Sequence, residues 1–350
     1  MHLLDQQLNA NIRGDFKKGW ELSEELWRLD PTDDRAAFNR GWHILAQGDL
    51  QGGMELIDRG RNINVFGSGP LGSIRPLYDP RKHDLKGKTV ILRSEGGLGD
   101  EIINVRWAND LANKGAKVVV SAHASLAPLF ARMPSVAAVV QSGNELGVYH
   151  DYWIPAMSGV RFTDTTYETL SGAPYLSAAP DRIQMWSNVV RANKNELKVG
   201  IRWSGNPQFE HEQNRRFPPE PLIALSSLPG VRMFSFQKDT DTRTLPSEIM
   251  DLQLFLSSWD DTAGALSNLD LMITSCTSVA HMAGALGIET WVIVPILSYY
   301  IWAHPEQETT PWYDSVRLFR QTQFGDWTDP LNRVKAALVE RLAKVHTKKA

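Results

Sequence analysis

The chain has 350 residues, of which 42% are hydrophobic and 22% charged, with one cysteine and a formal net charge of −3. At roughly 150 residues per domain this length predicts about two domains, and the mixed composition excludes a disordered, collagen-like or membrane-embedded chain. The near-balance of charge excludes a global field for nucleic acid or an anionic membrane, so an anionic ligand needs a local site.

With Cys276 alone, neither an intrachain disulfide nor a structural thiolate zinc site can form, and a reducing compartment is the simplest reading. The first residues, Met1 to Gln7, lack the basic region and apolar core of a signal peptide. Apolar stretches such as Trp291 to Leu297 fall short of the roughly 20 residues a spanning helix needs. The expectation is a cytoplasmic protein with no transmembrane segment.

The first sixty residues repeat. Gly14-Asp15-Phe16 recurs as Gly48-Asp49-Leu50 at a spacing of 34 residues, and at the same offset Gly19 matches Gly53 and Glu21-Leu22 matches Glu55-Leu56. A 34-residue period of paired helices is the tetratricopeptide signature, with Pro31 ending the first unit. The plainer alternative is two unrelated helical hairpins. Two such repeats cannot bury their faces alone, so they are expected to lean on the body that follows.

Residues 62 to 88 are rich in Gly, Pro and Asn and read as a connector. Beyond it the pattern changes. Thr89–Leu92 reads as a buried strand, Asp100–Ala112 as a helix, Lys117–Val120 as a strand, Leu126–Met133 as a short helix and Ala137–Val140 as a strand. A second alternation runs through strands at Lys198–Trp203, Arg232–Phe236, Leu269–Ile273 and Thr290–Val294, with a helix at Ser278–Leu286. Two Rossmann-like α/β halves with parallel sheets are expected.

Four loops at strand carboxyl ends could carry chemistry. In Glu95-Gly96-Gly97-Leu98-Gly99-Asp100, glycines permit a tight turn and close approach to a ligand, and Asp100 falls in the first helical turn. There it is either a helix cap or a carboxylate suited to deprotonate a hydroxyl. Trp203-Ser204-Gly205-Asn206-Pro207 precedes Arg215-Arg216, which could grip phosphate or simply face solvent. Gln237-Lys238 could read a nucleobase edge or be the exposed end of a strand. Finally, Thr277, Ser278 and Val279 open a helix whose free amides suit a diphosphate, with His281 three residues in, as a ligand or a packed core histidine.

Taken in order, the glycine loop, Trp203–Pro207, Phe236-Gln237, Asp260–Ala263, Thr277–His281 with Ala283–Gly287, and Pro311–Tyr313 with Arg317–Arg320 resemble bacterial tetratricopeptide-fused glycosyltransferases. They are similar to the lipopolysaccharide heptosyltransferases and, more distantly, to the protein O-GlcNAc transferases. The likeness spans roughly residues 85 to 321. It implies a GT-B fold of two Rossmann-like domains facing a cleft, with an N-terminal α-helical tetratricopeptide-like arm. The expected domains are 1–64 for the arm, 65–190 for the acceptor domain and 191–350 for the nucleotide-sugar domain, with the final helix free to pack back on the acceptor domain.

The implied reaction is inverting, metal-independent transfer of a sugar from a nucleotide diphosphate sugar to a hydroxyl of a protein or glycan, with no cofactor. Asp100 matches the family's base, while Arg215, Gln237, Lys238, Thr277, Ser278, Val279 and His281 fall on the donor side. Glu95, Gly97 and Gly99 form the acceptor-side loop, and Ser204, Gly205 and Asn206 the cleft loop. Three departures from the family pattern stand out: Cys276 where Asp precedes Thr, Gly96 where Gln is usual, and Phe209 with Glu212-Gln213 where His and Asp-Arg are common. Two other readings stay open, a nucleotide-sugar 2-epimerase of similar fold and a non-catalytic scaffold whose arm binds a peptide. Homo-oligomerisation and the identities of sugar, base and acceptor are left open. The basic tail Lys344–Lys349 reads as a solvated terminus.

Overall fold

The computed structural model describes residues 2–209, 211–238, 240, 242, 245–303 and 308–347. Lys348 and Lys349 of the basic tail lie outside them, as do the side chains of residues 345–347. The chain divides into two compact units, Met1–Ser171 with Tyr299–Pro305, and Gly172–Ser298 with Glu306–Ala350.

The first unit opens with four helices, α1 (Leu3–Ile12), α2 (Phe16–Leu29), α3 (Asp34–Ala46) and α4 (Leu50–Asp58). The 34-residue spacing has a physical basis. Gly14 and Gly48 adopt positive φ (78° and 94°), ending one helix, and the aspartate that follows each caps the next: Asp15 accepts from the Lys18 amide at 3.0 Å and Asp49 from that of Gly52 at 2.8 Å. A Cβ on Gly53 would lie 2.6 Å from the Leu45 side chain, so the repeated glycine lets α4 approach α3. The arm is fastened to the rest of its unit by polar bonds: Gln51 Nε2 donates to the carbonyls of Val160 and Thr165, both at 2.9 Å, and Arg161 pairs with Asp58.

After the connector come β1 (Thr89–Arg93), α5 (Leu98–Asn104), α6 (Trp107–Asn113), β2 (Lys117–Ala122), α7 (Ala127–Phe130), β3 (Val136–Gln141), β4 (Tyr152–Pro155) and α8 (Val160–Thr163). The strands form a parallel sheet in the order β3-β2-β1-β4. The helix expected over 100–112 is two helices, broken where Arg106 Nε donates to the Ile103 carbonyl at 2.9 Å.

The second unit contains α9 (Pro180–Ser187), β5 (Leu197–Arg202), α10 (Glu212–Arg215), α11 (Glu220–Ile223), β6 (Val231–Ser235), β7 (Ile249–Asp251), α12 (Trp259–Leu266), β8 (Leu271–Ser275), α13 (Ser278–Ala285), β9 (Thr290–Val294), β10 (Val316–Arg320) and α14 (Thr328–Thr347). Its six strands are parallel in the order β10-β9-β8-β5-β6-β7. Counted from β5 this is the 3-2-1-4-5-6 order of a dinucleotide-type sheet, whose crevice opens at the carboxyl ends of β5 and β8.

Two features differ from the sequence expectation. The division at 171/172 gives α9 to the second unit, where Arg182 pairs with Asp261 of α12 at 2.9 Å and Asn268 reaches the Ile183 carbonyl at 3.0 Å. The final helix packs within the second unit. Leu331, Val334, Ala337, Leu338 and Leu342 of α14 share one core with Trp291, Ile293 and Phe319. The segment that does return is the short turn after β9 beginning at Tyr299. Among the described residues no helix is long and apolar enough to cross a membrane.

Candidate active site

In the first unit, the loop after β1 presents Asp100 from the opening turn of α5. Gly96 holds φ at 71°, a left-handed turn, and a Cβ there would lie 2.5 Å from Asp100 Oδ2, so only glycine fits beneath the carboxylate. Asp100 Oδ2 accepts from the Gly97 amide at 2.8 Å and Oδ1 from the Tyr299 hydroxyl at 2.7 Å. Gly97 is the N-cap of α5 and Gly99 lies in its first turn. Asp100 is therefore both a cap and a half-exposed carboxylate; the two readings of it coexist.

Glu95 is buried, and its carboxylate is engaged on both oxygens. Oε1 accepts from the Ser68 amide at 2.8 Å, Oε2 from the Met157 amide at 3.1 Å, and the Arg61 guanidinium spans both. This makes Glu95 the anchor that ties the glycine loop to the end of the helical arm and to the loop after β4, rather than a group presented to a ligand. Burial pushes the neighbouring Glu101 carboxyl above its ordinary range, offset in part by the His123 amide.

In the second unit the loops after β5 and β8 converge. Glu212 of α10 is 4% exposed and accepts from the Gly205 amide and from Arg215 Nε, each at 2.5 Å. Arg215 Nη1 donates to the Cys276 carbonyl at 3.1 Å, and its guanidinium carbon sits 4.6 Å from the centre of the Phe209 ring. A Cβ on Gly205 would meet Arg215 Nη2 at 2.6 Å and the Thr277 methyl at 3.1 Å. The glycine is what allows the arginine, the β5 loop and the start of α13 to share this space.

Thr277 caps α13 in an extended conformation without a side-chain cap bond. Its Oγ1 is buried and has no hydrogen-bond partner among the described residues, as is also true of Ser275 Oγ. The Ser278 and Val279 amides begin the helix without intrahelical acceptors, so donors and an unused hydroxyl cluster at one point. Val279 is buried in the core. His281 is 5% exposed, its Nδ1 3.4 Å from the Tyr313 hydroxyl, and it packs inside the unit behind the loop.

Other expected site residues are engaged within the second unit. Gln237 is fully buried: Oε1 accepts the Trp203 and Ser204 amides, both at 3.1 Å, while Nε2 donates to Ser204 Oγ at 2.8 Å and the Lys238 carbonyl at 2.5 Å. Two donors and two acceptor sites are all used, leaving nothing for a nucleobase edge. Asn206 Oδ1 caps its own turn at the Gln208 amide, and Lys238 Nζ reaches the Leu256 carbonyl at 2.8 Å. Beside Ser204 and Gly205 a cleft of about 370 Å³ is lined by Trp203, Pro207, Glu212, Arg216 and Phe217 among others. Burial pushes the Cys276 thiol up to about 11, so it stays protonated and is present as a packing group.

No protein-family model matches the chain. Over 291 residues it is 26% identical to Protein FlbA of Caulobacter vibrioides, covering 73% of this chain and 47% of that protein, so it spans about half the length of this curated relative. Its structure is similar to a glycosyl transferase family 9 protein from Veillonella parvula, with a TM-score of 0.56, 9% identity, and 76% of this chain and 99% of that one covered. It is also similar to the ADP-heptose lipopolysaccharide heptosyltransferase II of E. coli, with a TM-score of 0.53, 15% identity, and coverage of 75% and 100%. The chain shares the fold of these two solved proteins.

Within this fold, sequence reasoning missed Tyr299 and underweighted Glu212. Tyr299 stands 199 positions from Asp100, so no local spacing could pair them. Glu212 was legible only as an acidic residue three before Arg215, a helical spacing that brings the two together once α10 forms.

Proposed function

We propose that the chain is an inverting, metal-independent glycosyltransferase that moves a sugar from a nucleoside diphosphate sugar to a hydroxyl of a protein or glycan. The first unit is read as the acceptor half and the second as the donor half of a GT-B enzyme, with α1–α4 as a tetratricopeptide-like arm. The observation that carries this is the start of α13. The Thr277 hydroxyl, which has no partner among the described residues, and the Ser278 and Val279 amides lie beside Arg215, which is fixed by Glu212 and the Cys276 carbonyl. That combination suits the two phosphates of a leaving diphosphate.

Chemically, Asp100 takes the proton of the acceptor hydroxyl as its oxygen attacks the anomeric carbon. The bond from that carbon to the diphosphate oxygen breaks, inverting the centre, and the new negative charge is received by the helix amides and Arg215. The closeness in fold to enzymes such as the ADP-heptose transferase supports a nucleoside diphosphate donor.

The test is incubation with a panel of nucleotide sugars and candidate acceptors, read by mass spectrometry. Sugar on an acceptor, abolished by Asp100→Asn with nucleotide affinity kept within about threefold, supports the reading. Full transfer by that variant refutes the base, and solvent deuterium entering free nucleotide sugar without transfer favours an epimerase.

A further inference from the structure

We infer that Tyr299, held against α5 by Trp42 of the helical arm, is a positioning residue that keeps the Asp100 carboxylate ionised and fixed in its capping rotamer. This deepens the reading of Asp100 as the base and rests on it. The segment beginning at Tyr299 interrupts the second unit: β9 precedes it and β10 follows it, yet its residues pack in the first unit. Tyr300, Ile301 and Trp302 form a buried single turn.

Two tyrosine hydroxyls dock the segment on α5. Tyr299 Oη donates to Asp100 Oδ1 at 2.7 Å, and Tyr300 Oη donates to Asn104 Oδ1 at 3.3 Å. Asn104 is fixed in turn, donating to the Asp100 carbonyl at 2.9 Å and accepting from Trp107 Nε1 at 3.1 Å. From the arm, the Trp42 ring lies 6.1 Å from that of Tyr299 and 6.5 Å from that of Tyr300. The helical arm thus serves as the buttress behind the tyrosine.

The titratable neighbours make the contact consequential. Besides Tyr299 and Tyr300 on the segment, Glu95 of the glycine loop, paired with Arg61, and Glu101 of α5 act on this pair. The carboxylates favour a protonated Asp100, while the Gly97 amide and the Tyr299 hydroxyl are donors that favour the ionised form. Burial and the Asp100 charge push the Tyr299 phenol well above its ordinary range, so it stays a donor throughout neutral pH.

The test is a carbon-13 NMR titration of aspartate carboxyls in the full chain, with Asp100 assigned by Asp100→Asn; it needs no substrate. Tyr299→Phe is expected to raise the Asp100 midpoint by about one pH unit, and Trp42→Ala to raise it by less. Tyr300→Phe, which removes the anchor but not the donor, is expected to leave it within about 0.3 unit. An unchanged midpoint in Tyr299→Phe, or an equal shift in Tyr300→Phe, overturns the assignment. If the shift is found while Asp100→Asn retains transfer, the positioning stands and the base falls.

Discussion

The Glu212 carboxylate and the Arg215 guanidinium, one turn apart on α10, meet at 2.5 Å, and the same carboxylate receives the Gly205 amide through its other oxygen. A single buried acid therefore sets both the arginine and the loop after β5. Glu212→Ala leaves a buried amide unpaired, a cost of about 1–3 kcal/mol, and frees Arg215 from its fixed pose. Nucleoside diphosphate affinity is expected to fall about tenfold by calorimetry, with Glu212→Gln intermediate because it keeps one acceptor oxygen. Wild-type affinity in Glu212→Ala would show that Arg215 needs no such positioning.

Glu95 and Arg61 predict a different phenotype. Truncating one partner of a buried, hydrogen-bonded charge pair strands the other, so Glu95→Ala is expected to lower the unfolding free energy by about 3–5 kcal/mol in urea. Donor binding by the folded variant should be unchanged, since every bond of Glu95 lies within the first unit. A variant of normal stability that has lost only acceptor binding would return Glu95 to the role its sequence position suggested.

His43 makes stability depend on pH. Burial, helped by the Arg40 charge, pushes this imidazole down to about 4, and its Nε2 has no partner among the described residues. The folded state therefore binds the proton less readily than the unfolded chain, whose histidine titrates near 6.5. The contribution is whole above pH 6.5 and is lost as pH falls from 6.5 toward 4, by as much as about 3 kcal/mol. Urea midpoints measured across that window should fall in the wild type and fall less in His43→Gln; parallel curves for the two would contradict this.

What was legible in the sequence was local. Gly14-Asp15 and Gly48-Asp49 announced the helical pairs because a left-handed glycine and an aspartate cap act on their own neighbours. The apolar runs of β1, β2, β5, β8 and β9 were visible because strands buried on both faces need continuous hydrophobic residues. The short β4 and β7 carried too few residues to register a pattern. The turns that carry Asp100, Arg215 and Thr277 were legible in the sequence as loops at strand carboxyl ends, but the bonds these side chains make were not. Gln237 read as a nucleobase contact or an exposed strand end and is instead saturated, chiefly by a loop 33 and 34 positions away, and the Tyr299 hydroxyl reaches Asp100 from 199 positions away.

Donor binding at the start of α13 is tested most directly by calorimetric titration of ADP, GDP, UDP and CDP into the full chain, as wild type and as Arg215→Ala. At least one nucleotide is expected to bind the wild type with a Kd on the order of micromolar, and Arg215→Ala to bind it about tenfold or more weakly. Failure of all four to bind at millimolar concentration, or equal affinity in the variant, would contradict a diphosphate site held by Arg215, Thr277 and Ser278.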